Sequence, residues 1–265
     1  MLIGPPGSGK SYFAASLMRS AVIDSKKVVY FDNHGSTDAL GLHHYTQAEP
    51  WGVAYISFEE PGKLKKAAES IRTRAMKGKP MYEGIVIDDI SQHASTNVRA
   101  NMVGEKGDKR RAWGEHLSEM QDTFYHLEPA DTQAALIVIA RAARMTQDIS
   151  EVKVTKDTKV DEMPTTIRAH IQGQFGEFIG HFFDMIVYCK RYVIADKLVF
   201  RQHYWPVGDI EVKCRWWHEP TMPRHLDNTT YDQLWNIIKG FDVPAAKVET
   251  QLVDMDTPAP TTGEE

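Results

Sequence analysis

Eight residues, Gly4-Pro5-Pro6-Gly7-Ser8-Gly9-Lys10-Ser11, constrain this chain more than any other stretch. They fill the pattern G-x-x-x-x-G-K-[ST]. Its glycines let the backbone turn so that successive N–H groups point at phosphate oxygens. Lys10 at that spacing reaches β/γ-phosphates, and the Ser11 hydroxyl suits Mg²⁺. The flanks agree with the motif. Leu2-Ile3 reads as a strand end. From Ser11 the pattern is helical, with Phe13, Ala14, Leu17, Met18 and Ala21 on one face. The helix N-terminus adds its dipole to an anion site. An ordinary Gly-Pro turn requires neither flank. Only Met1 to Gly4 is available for a strand that usually has ~5–6 residues. An upstream extension, or another segment covering the gap, is therefore expected.

The 265 residues are 42% hydrophobic and 25% charged, enough for one large domain with a full core. No apolar run approaches the ~18 residues of a spanning helix, and, with the loop strand at the start, no signal peptide is expected. No membrane partner is expected. Cys189 and Cys214 lie in strand-like stretches without metal-type spacing, so they read as buried free thiols suited to a reducing cytoplasm. Net charge is −5, and the stretch Asp242–Glu265, with six acids and one lysine, carries all of it. Residues 1–241 are neutral, so any nucleic-acid surface must be a local patch. The stretch 242–265 lacks a core-forming pattern and reads as a disordered acidic tail.

Strands and helices alternate. Strand signals fall at 27–32, 53–57, 83–89, 135–140, 185–190, 192–195, 198–201 and 211–217. Helical periodicity marks 63–76, 109–127 and 230–239. This order predicts an α/β fold over 1–241: a mostly parallel central sheet flanked by helices, with antiparallel late strands. Gly84-Ile85-Val86-Ile87-Asp88 is a buried strand ending in an acid. Following a phosphate loop, it places Asp88 for Mg²⁺, directly or through water. Asp89, the next residue, either caps the following turn or positions water.

The run of P-loop, "VVYFDNHGSTDAL", "VAYISFEEPGKLKKAAESI", "GIVIDDISQHA", "GEKGDKRRAWGEHL" and "LIVIARAARM" resembles the RecA-like ATPase core from about Leu2 to Trp217. It is most similar to phage-encoded RecA-like NTP-binding proteins, some of which anneal single strands in recombination. The resemblance implies a RecA-like P-loop NTPase, with ATP and Mg²⁺ at subunit interfaces of a ring or filament in the host cytoplasm. It implies DNA-binding loops after the two later strands and a γ-phosphate sensor at Arg141. Where the family has a water-orienting Glu, this chain has His34, which either accepts from water or is a turn residue before Gly35; Asp32, Glu59 and Asp89 are the other candidates. A His accepts less well beside phosphate-bound Mg²⁺ or once protonated, so slow hydrolysis is expected.

The first such loop runs from Arg99 to Arg111. Arg99, Lys106, Lys109, Arg110 and Arg111 outweigh Glu105 and Asp108 by +3. Mobile cations of this kind track a single-strand backbone, although a solvated helix start reads the same way. The second, 141–168, has mixed charge, and its length points to function. Lys213 and Arg215, on one face of the last strand, are expected to reach a neighbour's ATP or simply to be exposed strand cations. The acidic tail suits a single-strand binding protein or the basic loop. Two other functions remain open: a P-loop kinase of a nucleotide or small metabolite, and a nucleotide-gated binding module with weak hydrolysis.

Overall fold

The computed structural model describes residues 1–23, 27–32, 54–57, 62–104, 109–146, 165–171, 175–215 and 222–239. Its strands in chain order are β1 (Leu2–Gly4), β2 (Val28–Asp32), β3 (Ala54–Ser57), β4 (Gly84–Asp88), β5 (Ala135–Thr146), β6 (Thr165–Ala169), β7 (Met185–Ile194), β8 (Lys197–His203), β9 (Lys213–Cys214) and β10 (His225–Asp227). The helices are α1 (Lys10–Ser16), α2 (Lys63–Met76), α3 (Ile90–Gly104), α4 (Lys109–His126), α5 (Pro129–Thr132), α6 (Phe175–Phe178) and α7 (Tyr231–Ile238). The sheet order is β10-β8-β7-β1-β5-β4-β2-β3. The six strands from β7 to β3 run parallel, while β8 and β10 close one edge antiparallel. The expected α/β architecture is therefore present.

Strand alternation divides the core into two layers. Ile3, Val29, Phe31, Ile85, Ile87 and Val138 face one side, with buried residues of α2, α3 and α4. Leu2, Val28, Tyr30, Val86, Ile137 and Ile139 face the other, with α1 and α7. Both faces of the parallel strands are covered, which is why these strands read as continuous apolar runs. On the first side Phe124 of α4 lies 5.5 Å from Phe175, 5.6 Å from Phe182 and 5.7 Å from Phe183 between ring centroids. On the second, α7 starts with a capping box between Thr230 and Gln233. Cys189 and Cys214 are both free and buried. Burial pushes the Cys189 thiol up to about 12.

Several boundaries differ from the sequence expectation. Helix α1 ends at Ser16 and tightens into a 3₁₀ turn over Leu17–Arg19, which leaves Ala21 exposed. Helix α3 was not expected. Its buried Ile90, Ala94 and Val98 are interleaved with buried His93 and Asn97, so the apolar stripe is thin. The span 141–168 is not structureless throughout: β5 continues to Thr146 and pairs antiparallel with β6. The two strand-like runs after Met185 form one hairpin of β7 and β8. Its turn residues Ala195 and Asp196 have φ of 47° and 61°, the geometry of a type I′ turn. Among the described residues of the strand expected at 211–217, Lys213–Cys214 form β9. Among the described residues no helix is long and apolar enough to cross a membrane. His34, Lys106 and the acidic tail lie outside the described residues.

The aromatic cluster around Phe124 yields a stability prediction. Phe124→Ala removes a ring that is 1% exposed and touches three others. It is expected to destabilise the fold by about 3–5 kcal/mol in urea unfolding. A loss under about 1 kcal/mol would show that α4 is held to the sheet by other contacts.

Candidate functional site

Parallel strands deliver their C-terminal ends to one edge, where ligands of open α/β sheets bind. Register makes this concrete here. Gly4 pairs with Arg141 across β1 and β5, and Asp32 pairs with Asp88 across β2 and β4. The phosphate-loop motif follows β1 directly and wraps above that edge.

Two glycines allow the wrapping. A Cβ on Gly4 would stand 2.2 Å from the Cys189 carbonyl oxygen of β7, so only glycine lets the loop leave its strand there. Gly9 precedes α1 with φ 85°, in the left-handed region, and a Cβ there would meet the Phe200 ring at 2.7 Å. The Lys10 side chain curls into the loop. Its Nζ donates to the Gly4 carbonyl at 2.9 Å, the Pro5 carbonyl at 2.8 Å and Ser8 Oγ at 3.3 Å. Burial lowers the Lys10 pKa from its ordinary value. A cation held on carbonyl oxygens in a dry loop is poised to exchange those partners for an anion.

Opposite the loop sits Asp88, 3% exposed. Its Oδ2 accepts from Ser11 Oγ at 2.7 Å and from the Tyr30 hydroxyl at 2.9 Å. Burial raises the Asp88 pKa, and those two hydrogen bonds pull it down. Tyr30 is pushed well above its ordinary value by burial first and by Asp88 second. The donor set of one hydroxyl and one carboxylate is hard oxygen, which fits Mg²⁺ held by few protein ligands together with phosphates. Asp89 points elsewhere. Its Oδ1 accepts the Ser91 N–H at 2.8 Å, capping α3, and its Oδ2 accepts from Arg141 Nε at 2.7 Å. The Arg141 N–H in turn donates to Ser91 Oγ at 3.0 Å. Lys10, Ser11, Asp88, Asp89 and Arg141 thus meet at one edge.

The other expected residues lie apart. Arg99 is exposed on α3, and Arg110 and Arg111 are exposed on the first turn of α4. They stand on helices that pack together, not on a free loop, and Arg111 pairs with Glu115 at 3.1 Å. Lys109 opens α4. Lys213 donates to the Gly180 carbonyl at 2.9 Å, and Arg215 lies 2.6 Å from Asp184. Strand β9 pairs with the start of β7, at Met185 and Ile186. That is the sheet edge opposite the phosphate loop, so neither cation reaches the loop of the same chain. Sequence reading missed Tyr30, Ser91 and Phe200. Tyr30 was recoverable, since it shares a strand face with Asp32, whereas Phe200 depends on a hairpin register that no local pattern fixes.

The buried carboxylate gives a pH-dependent prediction. Because the folded pKa of Asp88 is raised, its contribution to stability is full below the ordinary carboxylate pKa and lost as pH rises through the folded value. Asp88→Asn is therefore expected to raise the melting temperature of the ligand-free protein at neutral pH. The gain should shrink toward pH ~4, near the ordinary carboxylate value. The same variant should lose Mg²⁺-dependent nucleotide affinity. A neutral-pH melting temperature lowered by the substitution would show that the carboxylate is net stabilising.

Among curated proteins none matches the sequence. Among solved structures, flagellar accessory protein FlaH from Methanocaldococcus jannaschii is similar at 11% identity and TM-score 0.40, covering 76% of this chain and 75% of that one. A KaiC-like protein from Pyrococcus horikoshii OT3 is similar at 15% identity and TM-score 0.40, with the same coverage. The AAA domain family model matches residues 1–205, which include the loop, Asp88, Arg141 and the β7–β8 hairpin. The chain belongs to the AAA domain family of P-loop ATPases.

Proposed function

We propose that the protein binds ATP with Mg²⁺ and hydrolyses it while acting on single-stranded DNA as an oligomer. The observation that carries the nucleotide part is the junction of Ser11 Oγ and Asp88 Oδ2 at 2.7 Å beside the buried Lys10. Ser11 and Asp88 would hold Mg²⁺, which neutralises charge on the phosphates when bound. Lys10 turns its ammonium from loop carbonyls to the β/γ-phosphates. Arg141, with its side chain 45% exposed, is anchored by Asp89 and extends toward the position of the terminal phosphate. Tyr30 keeps the Asp88 carboxylate oriented and ionised by donating to it. His34, two residues beyond Asp32 at the end of β2, is the proposed water-orienting group of a slow hydrolase.

The DNA part rests on charge and on the course of α3. Arg99 lies toward the end of α3, and Arg110 and Arg111 lie on the first turn of α4, which packs against it, with Lys106 and Lys109 between them in sequence. Helix α3 starts at the Asp89 cap, and its fifteen residues extend about 22 Å. One rigid element therefore joins the carboxylates at the nucleotide site to the basic end. A change at Asp89 or Arg141 on nucleotide turnover is transmitted along it.

Two experiments test this reading. Phosphate release is measured with and without single-stranded DNA. Slow basal turnover, stimulation by DNA, and loss of nucleotide binding in Lys10→Ala are expected. Turnover and affinity untouched in Lys10→Ala would refute the nucleotide site. For DNA, the triple variant Arg99→Ala, Arg110→Ala, Arg111→Ala should weaken single-strand binding and flatten its salt dependence. Each lost phosphate contact reduces the log–log slope by about 0.7. An unchanged slope moves the DNA site elsewhere.

A further inference from the structure

The triphosphate site has a direction. Its terminal end is marked by Ser11, Asp88, Asp89 and Arg141, all on the β5–β4 side of β1. A nucleoside attached at the other end must leave toward β7 and β8. On that flank the structure presents an apolar ledge that the phosphate chemistry does not use. Tyr12, the residue after Ser11, is 50% exposed although aromatic. Its ring lies 6.1 Å from that of Phe200 on β8, inclined at 32°. Leu198, two residues earlier on the same face of β8, is 53% exposed. The Phe200 ring packs so closely on Gly9 that a Cβ there would overlap it at 2.7 Å. The ledge is thus continuous with the phosphate loop. Arg191, paired with Phe200 across the hairpin, holds Nη1 3.5 Å from where a Gly7 Cβ would stand. A guanidinium therefore stands beside the loop at Gly7, next to the ledge.

A half-exposed tyrosine and a partly buried phenylalanine beside a phosphate cradle, with a cation next to them, match one ligand: a flat ring joined to the phosphates by a sugar. We propose that Tyr12 and Phe200 form the platform on which the nucleobase of the bound nucleoside triphosphate stacks, with Leu198 at its rim. The proposal rests on the nucleotide reading above and adds the base-recognition residues to it. A π-face stacks on any base, so the platform contributes affinity for the nucleoside and not hydrogen-bonded base selection. The β7–β8 hairpin thereby becomes part of the nucleotide site. Its type I′ turn fixes the register that sets Phe200 opposite Arg191.

The test separates base from phosphate. Dissociation constants for ATP and for inorganic tripolyphosphate, each with Mg²⁺, are measured by calorimetry on the full chain, its Tyr12→Ala and Tyr12→Phe variants, and a second ledge variant, Phe200→Leu. The wild type should bind ATP more tightly than tripolyphosphate. Tyr12→Ala should weaken ATP about tenfold while tripolyphosphate binding holds. Tyr12→Phe should restore ATP affinity, because the ring and not the hydroxyl stacks. Phe200→Leu should also weaken ATP selectively. Unaltered ATP affinity in Tyr12→Ala, or equal weakening of both ligands, overturns the platform and leaves the phosphate site standing. A wild type that binds neither ligand refutes the nucleotide reading itself.

Discussion

The arrangement depends on how closely β1 is flanked. This three-residue strand pairs with β5 on one side and β7 on the other, so its register ties the two halves of the sheet together. Hydrophobic burial supplies most of the favourable free energy, but it does not choose this placement. The backbone does. At Gly4 the chain must turn away within 2.2 Å of where a side chain would strike the Cys189 carbonyl. Once that turn is made, the loop passes beside β7 and β8, with Gly9 against Phe200, and returns toward the end of β4. The hydroxyl of Ser11 then falls onto Asp88, and Lys10 falls into the loop.

That geometry explains an otherwise costly choice of residues. Lys10, Asp88 and Asp32 are all nearly withdrawn from solvent. Burial lowers the pKa of Lys10 and raises that of Asp88, so each charge is held against its own desolvation. A sheet optimised only for stability would carry neutral groups at these strand ends. Charged ends are sensible where a polyanion and a metal arrive together. The surrounding partners, Tyr30 on Asp88 and Arg141 on Asp89, keep the carboxylates in separate roles, one toward the hydroxyl of the loop and one toward the helix behind it.

The phosphate loop, the parallel strands and the Asp88 position were legible because each depends on local rules: glycine freedom, strand hydrophobicity and an acid at a strand end. Helix α2 matched its expected limits, Lys63–Met76, for the same reason. Features set by pairing between distant segments were not legible. Helix α3 hid because buried His93 and Asn97 break its apolar stripe. Strand β6 hid because its partners lie 19 to 27 residues earlier, across a polar span. Lys213 and Arg215 were read from alternation in a seven-residue strand. Among its described residues, Lys213 and Cys214 pair with the start of β7, at the far edge of the sheet. The Phe200 contact with Gly9 requires knowing where a hairpin folds back, which no window of sequence contains.

The two thiols carry a consequence of their own. Cys189 lies in β7 directly beside the loop exit, is 1% exposed, and its thiol is held near pKa 12 by burial. Cys214 lies on the short strand that pairs with the start of the same β7. Both thiols are buried while the sheet is closed, which keeps reagents from them. An alkylating reagent therefore sees these residues only when β7 parts from its neighbours. The chain carries two built-in reporters on paired strands, one beside the phosphate loop and one at the start of β7. Their modification rates separate a local opening around the phosphate loop from a collapse of the whole sheet.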